Sequence, residues 1–162
     1  MDQPDSPLTV LQADAVRPHE AAHCSAGDSP LQCGPCTACC TLLKIEELQK
    51  PMRHACDQVT PAGCRHYADR PRPCREFECL WRRGLFGPEI ALRPDQLGVM
   101  FDQFAWRSNG ESQAIAMELW TAAFDQPVVQ QILHRLNATQ KLILNNRTGD
   151  WCERPAQIAT ET

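Results

Sequence analysis

Apolar residues are unevenly spread along this chain, and the change in their spacing divides it into regions. Residues 1–32 carry Pro4, Pro7, Pro18 and Pro30 among scattered charges, with no sustained apolar period. Such a segment cannot bury enough surface to offset its chain entropy, so a disordered N-terminal arm is expected there. Further on, Leu97, Val99 and Phe101 fall at alternate positions. Ile115, Met117 and Leu119 do the same on the far side of Ser108, Asn109 and Gly110. Two period-2 runs around turn-forming residues predict a β-hairpin closed by a loop. Asp125, Gln126 and Pro127 then open a helix whose Val128, Val129, Ile132, Leu133 and Leu136 form one apolar stripe. Lys141 to Leu144 suits a short last strand. The order strand, strand, helix, strand predicts an α+β lobe over 85–152, with 153–162 as a tail.

The stretch 33–84 has a weaker period. The run TLLKIEELQK after Cys40 fits a short strand through Leu43 and Ile45, or a helix through Leu42, Ile45 and Leu48, and Pro51 ends either one. Between Asp69 and Gly84 a helix is expected. Asp69 can cap it, Pro71 and Pro73 suit its first turn, Phe77, Leu80 and Trp81 recur at helical spacing, and Gly84 can stop it. The predicted fold class is therefore α+β: a small cysteine-rich, metal-organised segment (33–84), then a β-hairpin, a helix and a short strand. The two parts are expected to form one domain, 33–152.

Composition narrows the chemistry. The 162 residues carry 16 Lys+Arg against 20 Asp+Glu, a formal charge of -4, with a pI near 5.7. That balance speaks against a protein that lives by binding nucleic-acid phosphates. No run approaches the ~20 apolar residues that span a bilayer. The N-terminal MDQPDSPLTV has acids and prolines where a secretion signal needs basic and then apolar residues. A soluble, cytoplasmic protein without a membrane partner is expected. In such a reducing compartment cysteines remain thiols unless they are catalytic or bound to metal.

The chain has 10 cysteines. Eight fall in one segment: Cys33, Cys36, Cys39, Cys40, Cys56, Cys64, Cys74 and Cys79. Thiolates are soft, charged donors that suit zinc, copper(I) and iron-sulfur groups, and Cys-x2-Cys lets two sulfurs reach one metal from a tight turn. Eight ligands make two sets of four. Side chains of neighbouring residues usually diverge, so Cys39 and Cys40 are expected to serve different metals or one multinuclear cluster. On a regular helix Cys74 and Cys79 would lie about 140° apart, which leads to the same conclusion. Between Arg65 and Arg83 six arginines (65, 70, 72, 75, 82 and 83) face only Asp69, Glu76 and Glu78. Cations beside thiolates can lower thiol pKa values and donate hydrogen bonds to the sulfurs. Zinc and iron-sulfur remain alternatives. The chain lacks the two separated Cys-x2-Cys knuckles of a zinc ribbon, and its Cys33/Cys36/Cys39 run is only the first part of a bacterial ferredoxin motif. His54 and His66 are spare nitrogen donors, and Tyr67 is a hydroxyl near the thiols. In the arm, His19, His23 and Cys24 offer ligand atoms without a helix to align them. Cys24 and Cys152 read as ordinary thiols.

The run CGPCTACC at 33–40, followed by GCRHYADRPRPCREFECLWRRG at 63–84, resembles the CxxCxxCC cysteine-cluster family, the YkgJ-like zinc- or iron-chelating domain proteins. That family's pattern falls on Cys56, Cys64, Tyr67, Arg70, Pro71, Cys74, Phe77, Cys79, Trp81 and Gly84, and more loosely on Arg93, Pro94 and Asp95. The resemblance implies metal or cluster chelation in a small bacterial cytoplasmic protein. Some relatives attach the module to flagellin lysine methylation, but no nucleotide or methyl-donor motif is visible in this chain. Three function classes follow. They are a protein whose metals organise the fold, an iron-sulfur-dependent oxidoreductase or protein-modifying enzyme, and a metal carrier or module that binds a protein partner of unknown identity. No Ser/His/Asp order, phosphate loop or paired-carboxylate motif stands out, so no catalytic residue is assigned.

Overall fold

The structure is a computed structural model that describes residues 31–105 and 112–155. The expected arm with His19, His23 and Cys24, the Ser108-Asn109-Gly110 loop and the end of the tail lie outside the described residues.

The α+β lobe is built on a four-stranded mixed sheet whose strands lie side by side in chain order. β3 (Val99–Ala105) and β4 (Ser112–Glu118) are the predicted hairpin, antiparallel with Met100 opposite Met117 and Phe101 opposite Ala116. Leu97, read as part of the first strand, instead ends α3 (Pro94–Leu97). Gly98, at φ +80°, turns the chain into the sheet there. α4 (Pro127–Thr139) has Pro127 in its first turn and buries Val129, Ile132, Leu133 and Leu136. It returns the chain so that β5 (Lys141–Asn145) runs parallel to β4. β6 (Trp151–Arg154) then pairs antiparallel with β5. The sequence reading gave no strand at 151–154. All four of its residues are exposed, so no alternation betrays it.

Both faces of the sheet are covered, which explains the alternation. Val99, Phe101, Ala114, Ala116, Leu142 and Leu144 face α4, where Ala114 and Ala116 give the helix room and Phe86 meets Phe101 edge-on at 5.4 Å. Met100, Met117 and Ile115 point to the opposite face, where Ala38 and Leu42 pack on them. Burying each such large side chain contributes about 1.5–3 kcal/mol. The hairpin therefore serves as the floor of the cysteine-rich segment.

That segment has little regular structure: α1 (Ala38–Leu42), the two-residue strands β1 (Val59–Thr60) and β2 (Gly63–Cys64), and α2 (Arg72–Glu76). The run after Cys40 is α-helical only to Leu42, and then makes a turn closed by an Ile45–Lys50 bridge, with a 3-10 turn at Glu46–Leu48 and Gln49 left-handed at φ +50°. The helix expected over 69–84 is a single short one. Pro71 precedes it and Phe77 leaves it in extended conformation. The reason is packing. Phe77 belongs against Met100 and Met117 on one face of the sheet, while Leu80 belongs to the core on the other. A continuous helix could not serve both. The chain instead crosses the sheet edge, where the Leu80 N–H donates to the Phe101 carbonyl at 2.9 Å.

Candidate metal centre

The cysteine-rich segment closes over the Met100/Met117 face of the sheet, and all eight thiols of the predicted set are part-buried there, whereas Cys152 is exposed on β6. All nine described cysteines are free thiols.

Local structure places each of them. The Cys36 N–H donates to the Cys33 carbonyl at 3.0 Å, forming a turn with Gly34 at φ +55°. Cys39 and Cys40 follow on α1. The Cys56 N–H donates to the Cys40 carbonyl at 3.0 Å, and the Val59 N–H to the Cys56 carbonyl at 3.0 Å. Val59 pairs with Cys64 across the β1–β2 hairpin. That hairpin lies against the first turn, since a Cβ on Gly63 would sit 2.8 Å from the Gly34 carbonyl oxygen. Cys74 lies within α2, and Cys79 follows α2 at the sheet edge.

The thiols line two adjoining cavities. The larger, about 300 Å³, is lined by Cys33, Cys36, Cys39, Cys40, Cys56, Cys64 and Cys74, with Leu43, Ile45, Leu48 and Phe77 as its apolar wall. The smaller, about 30 Å³, is lined by Cys33, Cys36, Cys39 and Cys79, with Met100 and Trp81. As the side chains lie, no three His, Cys, Asp or Glu groups among the described residues stand together as a metal-binding group. The donor set fits a soft metal by its chemistry.

Charge is arranged around the sulfurs. Arg82, 9 % exposed, donates from Nη1 to the Cys33 Sγ at 3.5 Å and to the Tyr67 hydroxyl at 3.1 Å, while its Nε pairs with Glu78 at 3.0 Å. Arg70 stacks on the Tyr67 ring at 3.8 Å and donates to the Cys74 carbonyl at 3.0 Å. Burial pushes the Cys36 thiol up to about 12 and also raises Cys79 and Cys74. The Cys39 thiol donates to Cys40, which raises Cys39 and lowers Cys40. The fields of Lys50 and Arg70 lower Cys40 further. The two thiols interact although neighbouring side chains usually diverge, and both line the larger cavity. Cys74 and Cys79 do separate, with Cys74 on the larger cavity and Cys79 on the smaller.

Of the six arginines, Arg70 and Arg82 reach the larger cavity, as do Tyr67 and His66. Arg83 turns away to Asp102 at 3.0 Å, and Arg72 makes an exposed pair with Glu76. His54 does not line either cavity and bonds the Met52 carbonyl at 3.0 Å. One group escaped the sequence reading and a second was marked there only loosely. Lys50, 6 % exposed, points its ammonium at the carbonyls of Thr41, Leu43 and Pro51 beside the thiols, and burial lowers its pKa. Asp95, held by Arg93 at 2.8 Å, hydrogen-bonds the Cys36 thiol. Nothing in local sequence marks Lys50, while the loose Arg93-Pro94-Asp95 match pointed at Asp95.

Comparison with known proteins finds no matching family, curated protein or solved structure. Among the described residues no helix is long and apolar enough to cross a membrane.

Proposed function

We propose that this is a metal-chelating protein whose ligands are Cys33, Cys36, Cys39, Cys40, Cys56, Cys64, Cys74 and Cys79, holding zinc ions or iron-sulfur. The observation that carries this reading is the gathering of eight thiols, from residues up to 46 positions apart in sequence, around two adjoining cavities. Eight part-buried thiols with no disulfide among them make a poor hydrophobic core and a rich soft-donor set. The resemblance of 33–40 and 63–84 to the CxxCxxCC family supports the same reading, and we place the chain in the cytoplasm, where thiols stay reduced. Bound zinc would supply folding energy to a segment with little regular structure, and a bound cluster would supply one-electron chemistry. The chain's own contribution is charge and orientation. Arg82 donates to Cys33, Asp95 accepts from Cys36, and Lys50 and Arg70 set positive charge beside Cys40.

The roughly 300 Å³ cavity favours a second reading, an iron-sulfur-dependent oxidoreductase or protein-modifying enzyme, because it lies at the lower end of the range for small-molecule pockets. Metal content of point variants tests the primary reading. Cys33→Ser and Cys79→Ser are expected to lower bound metal and loosen residues 33–84, while Cys24→Ser and Cys152→Ser leave both unchanged. Wild-type metal content in Cys33→Ser and Cys79→Ser overturns it.

A further inference from the structure

The eight thiols divide into two unlike sets, and we infer that they form two separate sites. One is an inner site of Cys33, Cys36, Cys39 and Cys79, set against the sheet, that takes a single tetrahedral soft ion. The other is an open site of Cys40, Cys56, Cys64 and Cys74, at which metal exchanges with small soft ligands from outside. This rests on the metal-binding reading above and adds which thiols act together and which group is reachable.

Three observations agree on the division. The first is packing: Cys36, Cys39 and Cys79 lie against the Ala38, Leu42, Met100 and Met117 cluster under the sheet, and none of the other set does. The second is backbone linkage. Cys56 is bonded to Cys40, and the chain from Cys56 leads by the Val59–Cys64 pairing to Cys64. Cys74 lies in the electrostatic field of those three, and Cys79 in that of Cys33. The third is space. The first set meets only in the cavity of about 30 Å³, the one of the two that Cys79 lines, whereas Cys33, Cys36 and Cys39 line the larger one as well. It has room for about two water-sized bodies and hence for one ion. Cys40, Cys56, Cys64 and Cys74 line only the cavity of about 300 Å³, far more than an ion fills. Either ion would have its four positions filled by thiolates at about 2.3 Å, so exchange needs room for an incoming ligand beside the sulfurs, and the small cavity leaves none. An ion held at the rim of the large cavity is open to a competing ligand. The sites abut at the Cys39–Cys40 contact, so the division is a claim about separate function and not about distance.

The test uses the full-length chain, reduced and metal-free, titrated with cobalt(II), whose tetrahedral thiolate absorption reports each site. The wild type is expected to bind about two ions and to lose them to an added chelator in two phases differing at least tenfold in rate. Cys79→Ser weakens one ion at least tenfold and leaves the fast phase. Cys64→Ser weakens the other and leaves the slow phase. Cys36→Ser and Cys56→Ser repeat these two patterns respectively, which guards against one variant that merely misfolds. If all four variants weaken both ions alike, or if Cys36→Ser and Cys56→Ser act on the same ion, the division is overturned while metal binding stands. If the wild type binds no cobalt, the metal-binding reading itself fails.

Discussion

Arg53 clasps the cysteine-rich segment to the sheet, and removing its side chain should loosen the whole domain. Its own N–H donates to the Leu42 carbonyl at the end of α1. Its Nε donates to Asn145 Oδ1 at 2.8 Å, its Nη1 to the Glu118 carbonyl at 2.8 Å, and its Nη2 to the Asn145 carbonyl at 2.9 Å. Asn145 is 0 % exposed and Glu118 5 % exposed, so Arg53→Ala strands acceptors that water reaches poorly. Hydrogen bonds from a charged donor contribute roughly 1.5–3 kcal/mol each but act as a unit here, so the expected loss is about 2–4 kcal/mol. Arg53 is left-handed at φ +60°, and alanine suffers the same backbone penalty, so strain cancels from the comparison. For a domain of this size the loss corresponds to a fall in Tm of roughly 10 °C. Urea and thermal unfolding of the reduced, metal-free chain measure it. A cycle with Asn145→Ala should show a coupling of at least ~1 kcal/mol. A loss below ~0.5 kcal/mol, or strictly additive single variants, would show that the clasp does not bear on stability.

Asp102 is 4 % exposed on the sheet, and burial pushes its carboxyl up to about 6 against the pull of Arg83. Its folded value lies above the unfolded one, so the native state binds the extra proton between about pH 4 and 6. Stability from this group is present below that window and is lost as pH rises through it. Relative to Asp102→Asn, the wild type should lose on the order of 3 kcal/mol between pH 4 and 7. A pH-independent difference in urea unfolding contradicts this. Gly63→Ala forces an unfavourable φ of +115° and sets a Cβ 2.8 Å from the Gly34 carbonyl oxygen. It should push the β1–β2 hairpin off the Cys33–Cys36 turn, costing about 1–3 kcal/mol and weakening metal binding several-fold with every thiol intact. Unchanged affinity in a cobalt titration would show that the hairpin's seat does not shape the site.

The sheet lobe was readable because its side chains obey one period per element. Val99 and Phe101 alternate because only alternate residues of β3 meet α4, and Val129, Ile132 and Leu133 recur because one face of α4 meets the sheet. Ile115, Met117 and Leu119 alternate for the opposite partner, the cysteine-rich segment, which the pattern alone could not name. The period failed at Phe77, Leu80 and Trp81, where helical spacing arises from a chain that crosses a sheet edge and buries residues on both sides. It failed again at β6, whose four exposed residues are held by backbone pairing with β5 and an exposed Lys141–Glu153 ion pair rather than by an apolar face. The candidate site was legible as a list of thiols because cysteine is rare and its spacing conspicuous. Its surroundings were less so. Lys50 is an ordinary charge in sequence, and only the turn from Ile45 carries its ammonium back over the thiols. The contact between Cys39 and Cys40 depends on the rotamers of two neighbouring side chains, which spacing does not specify.

The claim that these eight thiols bind metal is tested most directly by purifying the full-length chain without oxygen and measuring iron, zinc and acid-labile sulfide per chain, together with its visible spectrum. The account predicts metal bound in proportion to protein. That is either colourless chain with about two zinc ions, or coloured chain with iron and sulfide in near-equal amounts. Metal-free protein with eight reactive thiols, or with those thiols joined as disulfides, would contradict it.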